Sequence, residues 1–388
     1  MDILHDSNVP SFIIEHLKWI QKQATTINPT LTTEDDQWVD LQVKFRFGKA
    51  YDLILNKKWV ELYPIIQPDQ KINRWLTPLD KSYALVKKAY NDWGEYRFNE
   101  AAAQVMVYNM LSDNKASNIL LPIIMVDTMG PSKFSYWAYN RKVGTGQHIL
   151  WPLCSHWAEF MKGLNDTTVW ADKQHKLIFR GVTTGPLVST IHNDKIKSSH
   201  TEIINQWAHK PWADLGFNKI IDSTKNDPKW SQFKDKVLSL QKPSLKIEVM
   251  LKSRFILCIE GNDVSTSFGW VLASHCVPIH PYPFIYEVWY FQNLQPWVHF
   301  IPCKPDGSDI EEQVEWAQSH DPECQKIAQQ GRSYMAKMID PILFVEVLKR
   351  MYQMWNLRTD NNKTFFMSLL YLYLKKKTIR KTQKQIKS

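Results

Sequence analysis

The 388 residues are enough for two domains or one large one, and 44% hydrophobic with 22% charged residues is ordinary globular composition, which excludes fibrous and disordered classes. The net charge of +9 suggests a nucleic-acid partner until it is located. Lys363, Lys375, Lys376, Lys377, Arg380, Lys381, Lys384 and Lys387 lie in 361–388 with no acid among them, so the body is close to neutral and lacks the basic face DNA requires.

Cys154, Cys258, Cys276, Cys303 and Cys324 are odd in number and widely spaced, with no C-x-x-C pattern, so they read as buried reduced thiols and not as a zinc site or disulfide framework. The N-terminus, Met1-Asp2-Ile3-Leu4-His5-Asp6, has neither the basic n-region nor the apolar h-region of a signal peptide. No run approaches the roughly 20 apolar residues of a spanning helix. A soluble, cytoplasmic protein is expected.

Residues 11–110 read as largely helical. Phe12, Leu17 and Ile20 share one helix face, whereas Trp38, Leu41, Val43 and Phe45 mix periods and leave that segment open. Residues 84–110 again favour helix. An apolar run, 119–126, reads as a strand ending in Asp127, and acids at strand C-termini sit where open α/β sheets place their sites. A capping Asp in a turn is the competing reading. Phe134-Ser135-Tyr136 and Trp151-Pro152 follow, with Gly144-Thr145-Gly146 read as a loop, because it lacks the third glycine of a dinucleotide fingerprint.

Leu177-Ile178-Phe179 predicts a short strand with Arg180 and Gly181 at its end and Thr183 just beyond. Phe255 to Ile259 predicts a buried strand, followed by the turn Glu260-Gly261-Asn262-Asp263-Val264 and three N-cap hydroxyls, Ser265, Thr266 and Ser267. A short helix over 268–273 and a strand over 276–279 complete half of a nucleotide-binding α/β domain. A helix N-terminus there offers N–H donors to an anion. Tyr286-Glu287-Val288 and Leu294-Gln295-Pro296-Trp297-Val298-His299-Phe300-Ile301-Pro302 come next. Ser308-Asp309-Ile310-Glu311 reads as a capping box, Asp321-Pro322 as a helix start, and 342–355 as a third helix.

The ordered set Glu-Gly-Asn-Asp-Val-Ser (260–265), Leu-Ala-Ser (272–274), Glu287-x-Trp289 and Leu294-x-Pro-Trp-Val-His-Phe-Ile-Pro resembles glycosyltransferase family 90, which includes capsule-associated, lipopolysaccharide-modifying and protein O-glucosylating transferases. The resemblance covers roughly 119–340. It implies an α/β fold of GT-B type, two Rossmann-like domains facing a cleft. On that reading 1–165 form a helical region with the acceptor-side domain, 166–340 the donor domain, 341–360 a helix crossing back, and 361–388 a basic tail.

The resemblance further implies an inverting transferase that moves glucose or xylose from a UDP-sugar to a hydroxyl of a glycan or lipid-linked saccharide, with Asp127 as general base. Donor contacts would come from Arg180, Gly181, Thr183, Gly261, Asn262, Asp263, Ser265, Thr266, Ser267, Glu287 and His299. No Asp-x-Asp is present, so neither metal nor cofactor is expected, and arginine and backbone donors would neutralise the diphosphate. Two departures stand out: Leu187-Val188-Ser189-Thr190 carries no arginine where family members have one after the Phe-Arg-Gly element, and no arginine adjoins Ser267. They leave an alternative, a catalytically impaired GT-B protein that binds glycans or membranes. The apolar stretch 365–374 and the basic residues behind it suit contact with an anionic membrane surface. No nucleic-acid partner is expected.

Overall fold

The computed structural model describes residues 9–25, 30–56, 76–78, 95–111, 120–124, 137–146, 148–192 and 195–356. These fall into two compact units, one drawn from the chain up to 154 together with 341 onward, the other spanning 155–340.

In the first unit, helices Ser11–Ala24, Thr33–Phe47, Lys49–Leu55 and Glu95–Leu111 are joined by the late helix Pro341–Asn356. The ambiguous segment is a helix. Its buried face, Val39, Gln42, Val43, Arg46 and Phe47, has helical spacing but carries two polar residues, which hides the period in the sequence. The late helix returns to the N-terminal ones: Arg350 pairs with Asp40 (2.7 Å) and Asp36 (2.5 Å), and Tyr352 packs on Tyr108 and Trp137. Strands Leu76–Pro78, Leu120–Ile124, Trp137–Ala138 and Ile149–Leu150 make a small mixed sheet. The 144–146 loop is a clasp, with Gly146 accepting from the Lys49 amide at 2.8 Å.

The second unit is built on five strands: β1 (Gln174–Val182), β2 (Ala213–Lys219), β3 (Ser253–Leu257), β4 (Val277–Pro281) and β5 (Ile301–Cys303). Every pairing is parallel and the spatial order is 2-1-3-4-5. That is a doubly wound order, reversing between β1 and β3. In sheets of this order the crevice that binds ligands lies at the C-terminal ends of the two strands flanking the reversal, here β1 and β3.

Leu177, Leu215, Phe255, Val277 and Ile301 form the core of this sheet, joined by Ile203, Val237 and Val314 from helices His200–Trp207, Trp230–Ser239 and Ile310–Ser319. β1 is longer than its apolar run predicts. Its exposed start, Gln174-His175-Lys176, is carried into the ladder by pairing with β3. All five cysteines are buried and free.

Two terminal details differ from expectation. The helix after 308 is capped at Asp309, not by a Ser308 box. The Asp309 carboxylate turns back to accept from the Lys304 amide at 2.7 Å, and Ser308 instead donates its amide to Asp306. Ser265 is the N-cap of the short helix Thr266–Leu272, yet its hydroxyl makes no capping bond and pairs with the Ser267 hydroxyl at 2.9 Å.

Candidate functional site

The loops after β1 and β3 meet at the base of the site. Gly185, at φ +84°, donates its amide to the Asn262 side-chain oxygen at 3.2 Å. A β-carbon on Gly261 would lie against the Thr184 hydroxyl and 3.1 Å from its Cβ. Glycine at both positions is therefore what lets the loops meet.

His200 ties the same two strand ends together, with Nδ1 3.2 Å from the Val182 carbonyl and Nε2 3.2 Å from that of Ile259. Burial lowers its pKa against the opposing pull of those carbonyls. A neutral ring has one N–H, so it donates to one of the two at a time. Thr183 is buried behind them. Its hydroxyl accepts from the Ile221 amide at 3.1 Å and from the Thr224 hydroxyl at 2.8 Å, anchoring the segment after β2.

At the mouth of the crevice the Asn262 carbonyl accepts from Lys197 Nζ at 2.5 Å, and the same ammonium lies 5.3 Å from the Tyr286 ring. Below it, Glu260 accepts the Ile285 amide at 3.2 Å. Burial pushes the Glu260 carboxyl up to about 8, against the backbone donors at Ile285 and Tyr286 and the charge of Lys197, with Asp263 adding to the rise. Glu260 is thus largely a neutral acid at pH 7. Asp263 and Ser265 are buried, Ser267 is half-buried and Thr266 is exposed at the loop's outer edge.

Gly261, Asn262, Asp263 and Ser265 therefore share the loop that meets Thr184 and Gly185, Thr266 and Ser267 begin the helix that follows it, and Glu287 follows Tyr286 on the short strand Tyr286–Val288, half-buried. Arg180 and Gly181 lie on β1 itself. Gly181 faces the Phe179 ring, which a β-carbon there would strike at 2.8 Å. Arg180 lies across the sheet face on β2: Nη2 meets Asp214 Oδ1 at 2.7 Å, and Nη1 donates to the Asp214 and Phe179 carbonyls, each at 2.8 Å. Lys242 joins the same carboxylate at 2.9 Å. Only Nε of Arg180 is buried without a partner.

His299 sits apart from these residues. It is not within a strand but in the turn before β5, at the N-terminal end of the sheet. Its Nδ1 accepts from the Gln295 amide at 3.0 Å and its ring packs 5.0 Å from Tyr334. Because the strands are parallel, that places it at the opposite edge from the crevice. Asp127 lies outside the described residues. Lys197, His200, Glu260 and Tyr286 were not expected at the site. Among the described residues, no three His, Cys, Asp or Glu side chains gather as a metal would require, and no helix is long and apolar enough to cross a membrane.

A family profile described as glycosyl transferase family 90 matches residues 126–346, more than half of the chain. The chain belongs to this family. Similar proteins include the O-glucosyltransferase LpsA of Dichelobacter nodosus, 31% identical over 25% of this chain and 30% of that protein. Protein O-glucosyltransferase 1 of Rattus norvegicus is 26% identical over 49% of this chain and 45% of its own length. An uncharacterized protein, 035R of Invertebrate iridescent virus 3, is 25% identical over 44% of this chain and 16% of its own. The chain thus spans less than half the length of each. The family 90 match contains both crevice loops, Lys197 and Glu287, and begins one residue before Asp127.

Proposed function

We propose that the chain is an inverting, metal-independent glycosyltransferase of GT-B type that takes glucose or xylose from a UDP-sugar and places it on a hydroxyl of a glycan or lipid-linked saccharide. The observation that carries the reading is the meeting of the β1 and β3 loops at the strand-order reversal, inside the span matched to family 90. A nucleotide diphosphate fits such a crevice, which is lined by glycine backbone and hydroxyl groups that allow close approach. On this reading Glu287, on the strand beside Tyr286, accepts from ribose hydroxyls.

In this reaction the Asp127 carboxylate takes the proton of the acceptor hydroxyl. The acceptor oxygen attacks the anomeric carbon on the face opposite the nucleotide. The bond from that carbon to the phosphate oxygen breaks, UDP leaves with the electron pair, and the configuration inverts. No second carboxylate is needed, because no covalent sugar–enzyme intermediate forms. The charge developing on UDP is met by donors held in place before the reaction.

Calorimetric titration with a panel of UDP-sugars, with and without a chelator, tests the proposal. One of UDP-glucose and UDP-xylose is expected to bind, with UDP competing and the chelator without effect. Absence of binding by any nucleotide-sugar would overturn it.

A further inference from the structure

The expected phosphate clamp, Arg180, is drawn across β2 by Asp214, and the chain has no arginine at the family's second position. A diphosphate in the crevice still requires a cation. We propose that Lys197 is that cation, meeting the donor's diphosphate at the mouth of the β1–β3 crevice in place of Arg180. This rests on the reading of the crevice as a nucleotide-sugar site.

Four features place it there. Lys197 ends the antiparallel hairpin formed by Thr190–His192 and Lys195–Lys197. The residues just after it are fixed: Ser198 donates its hydroxyl to the Pro305 carbonyl at 2.5 Å, and Ser199 to that of Leu187 at 2.8 Å while its oxygen caps helix His200–Trp207. His200, three residues on, bridges the ends of β1 and β3. The ammonium itself reaches Asn262, which also holds the Gly185 amide.

Lys197 therefore stands where both loops converge, on a stem whose three N–H donors can turn toward a phosphate oxygen without backbone movement. The half-buried Lys197 side chain remains within reach of solvent ligands.

The test is calorimetry on the full chain with UDP, uridine and inorganic pyrophosphate, for the wild type, Lys197→Gln and Lys197→Arg. Gln removes the charge and keeps N–H donors, on a stem one bond shorter. Lys197→Gln is expected to lower UDP affinity by about tenfold or more, the scale of one charge-assisted contact, to leave uridine affinity unchanged, and to flatten the salt dependence of UDP binding. Lys197→Arg should restore most of the loss.

Wild-type UDP affinity in a folded Lys197→Gln would overturn the assignment while leaving the nucleotide reading intact. Pyrophosphate binding that depends on Lys197, with no binding of UDP, would overturn the nucleotide reading but keep the anion site. No binding of UDP or pyrophosphate by the wild type would overturn both. A second readout needs no variant. Amine-reactive labelling of Lys197 in the wild type, followed by mass spectrometry, should be blocked by UDP and not by uridine, and equal labelling in both would sink the proposal.

Discussion

Gly261 and Thr184 touch so closely that a β-carbon on residue 261 would fall against the Thr184 hydroxyl and 3.1 Å from Thr184 Cβ. The contact joins the loop after β3 to the loop after β1 at the point where the sheet order reverses. Gly261→Ala forces the loops apart and should cost about 1–3 kcal/mol of stability, the usual range for overpacking. It should also weaken UDP binding, because both walls of the crevice move. Thr184→Ala in the same chain removes the hydroxyl and should recover part of the stability. Melting temperatures of the two single variants and the double variant check this, and strictly additive losses would contradict it.

The Arg180–Asp214 pair leads to a separate expectation. Burial raises the Asp214 pKa, but the hydrogen bonds and charges of Lys242 and Arg180 outweigh it and hold the carboxyl below its usual range. A depressed carboxyl stabilises the fold above its unfolded pKa, and that stability is lost as pH falls through the folded value. Asp214→Asn should cost about 1–2 kcal/mol at pH 7, less than a fully buried pair because the Asp214 side chain is 35% exposed. The deficit should shrink toward pH 3. UDP affinity of folded Arg180→Gln should change far less than that of Lys197→Gln, which titration of the two proteins side by side measures.

Much of the second unit is legible in the sequence. Phe255-Ile256-Leu257 and Val277-Pro278-Ile279 are short apolar runs between polar turns, and they became adjacent parallel strands with a short helix between them. What could not be read depends on distant partners. Arg180 looks like a strand-end cation until Asp214, 34 residues away, claims its guanidinium. Lys197 is one of many lysines in the sequence. Only the hairpin and the fixed start of the next helix carry it to Asn262, 65 residues on. His299 reads as part of a strand because Val298, Phe300 and Ile301 surround it, but the backbone turns there, with Trp297 at φ +64°. Buried Gln42 and Arg46 concealed a helix in the same manner, by placing polar groups on an inward face.

Asp127 is assigned as base on the family resemblance, and one substitution tests that assignment. Asp127→Asn keeps volume and turn-capping ability but cannot take a proton at neutral pH. Turnover should fall by about 10²–10⁴-fold, with UDP affinity retained and the acidic limb of the pH–rate profile lost. Near-normal turnover in the folded variant would remove Asp127 from the mechanism.

Glu260 makes the sheet's stability depend on pH in the direction opposite to Asp214. Its carboxyl, accepting the Ile285 amide while buried, is raised from 4.5 to about 8. The unfolded chain releases this proton near pH 4.5, whereas the folded chain holds it until about pH 8. Its contribution is therefore fully present below pH 4.5, declines through the window between, and is gone once pH passes the folded value. Glu260→Gln keeps the acceptor for the Ile285 amide and cannot ionise. Relative to the wild type, it should gain in melting temperature steadily from about pH 5 to pH 8 and level off beyond, a difference in which the other titrating groups cancel. Parallel melting curves for the two proteins across that window would show that Glu260 is ionised in the fold, its charge met by Lys197.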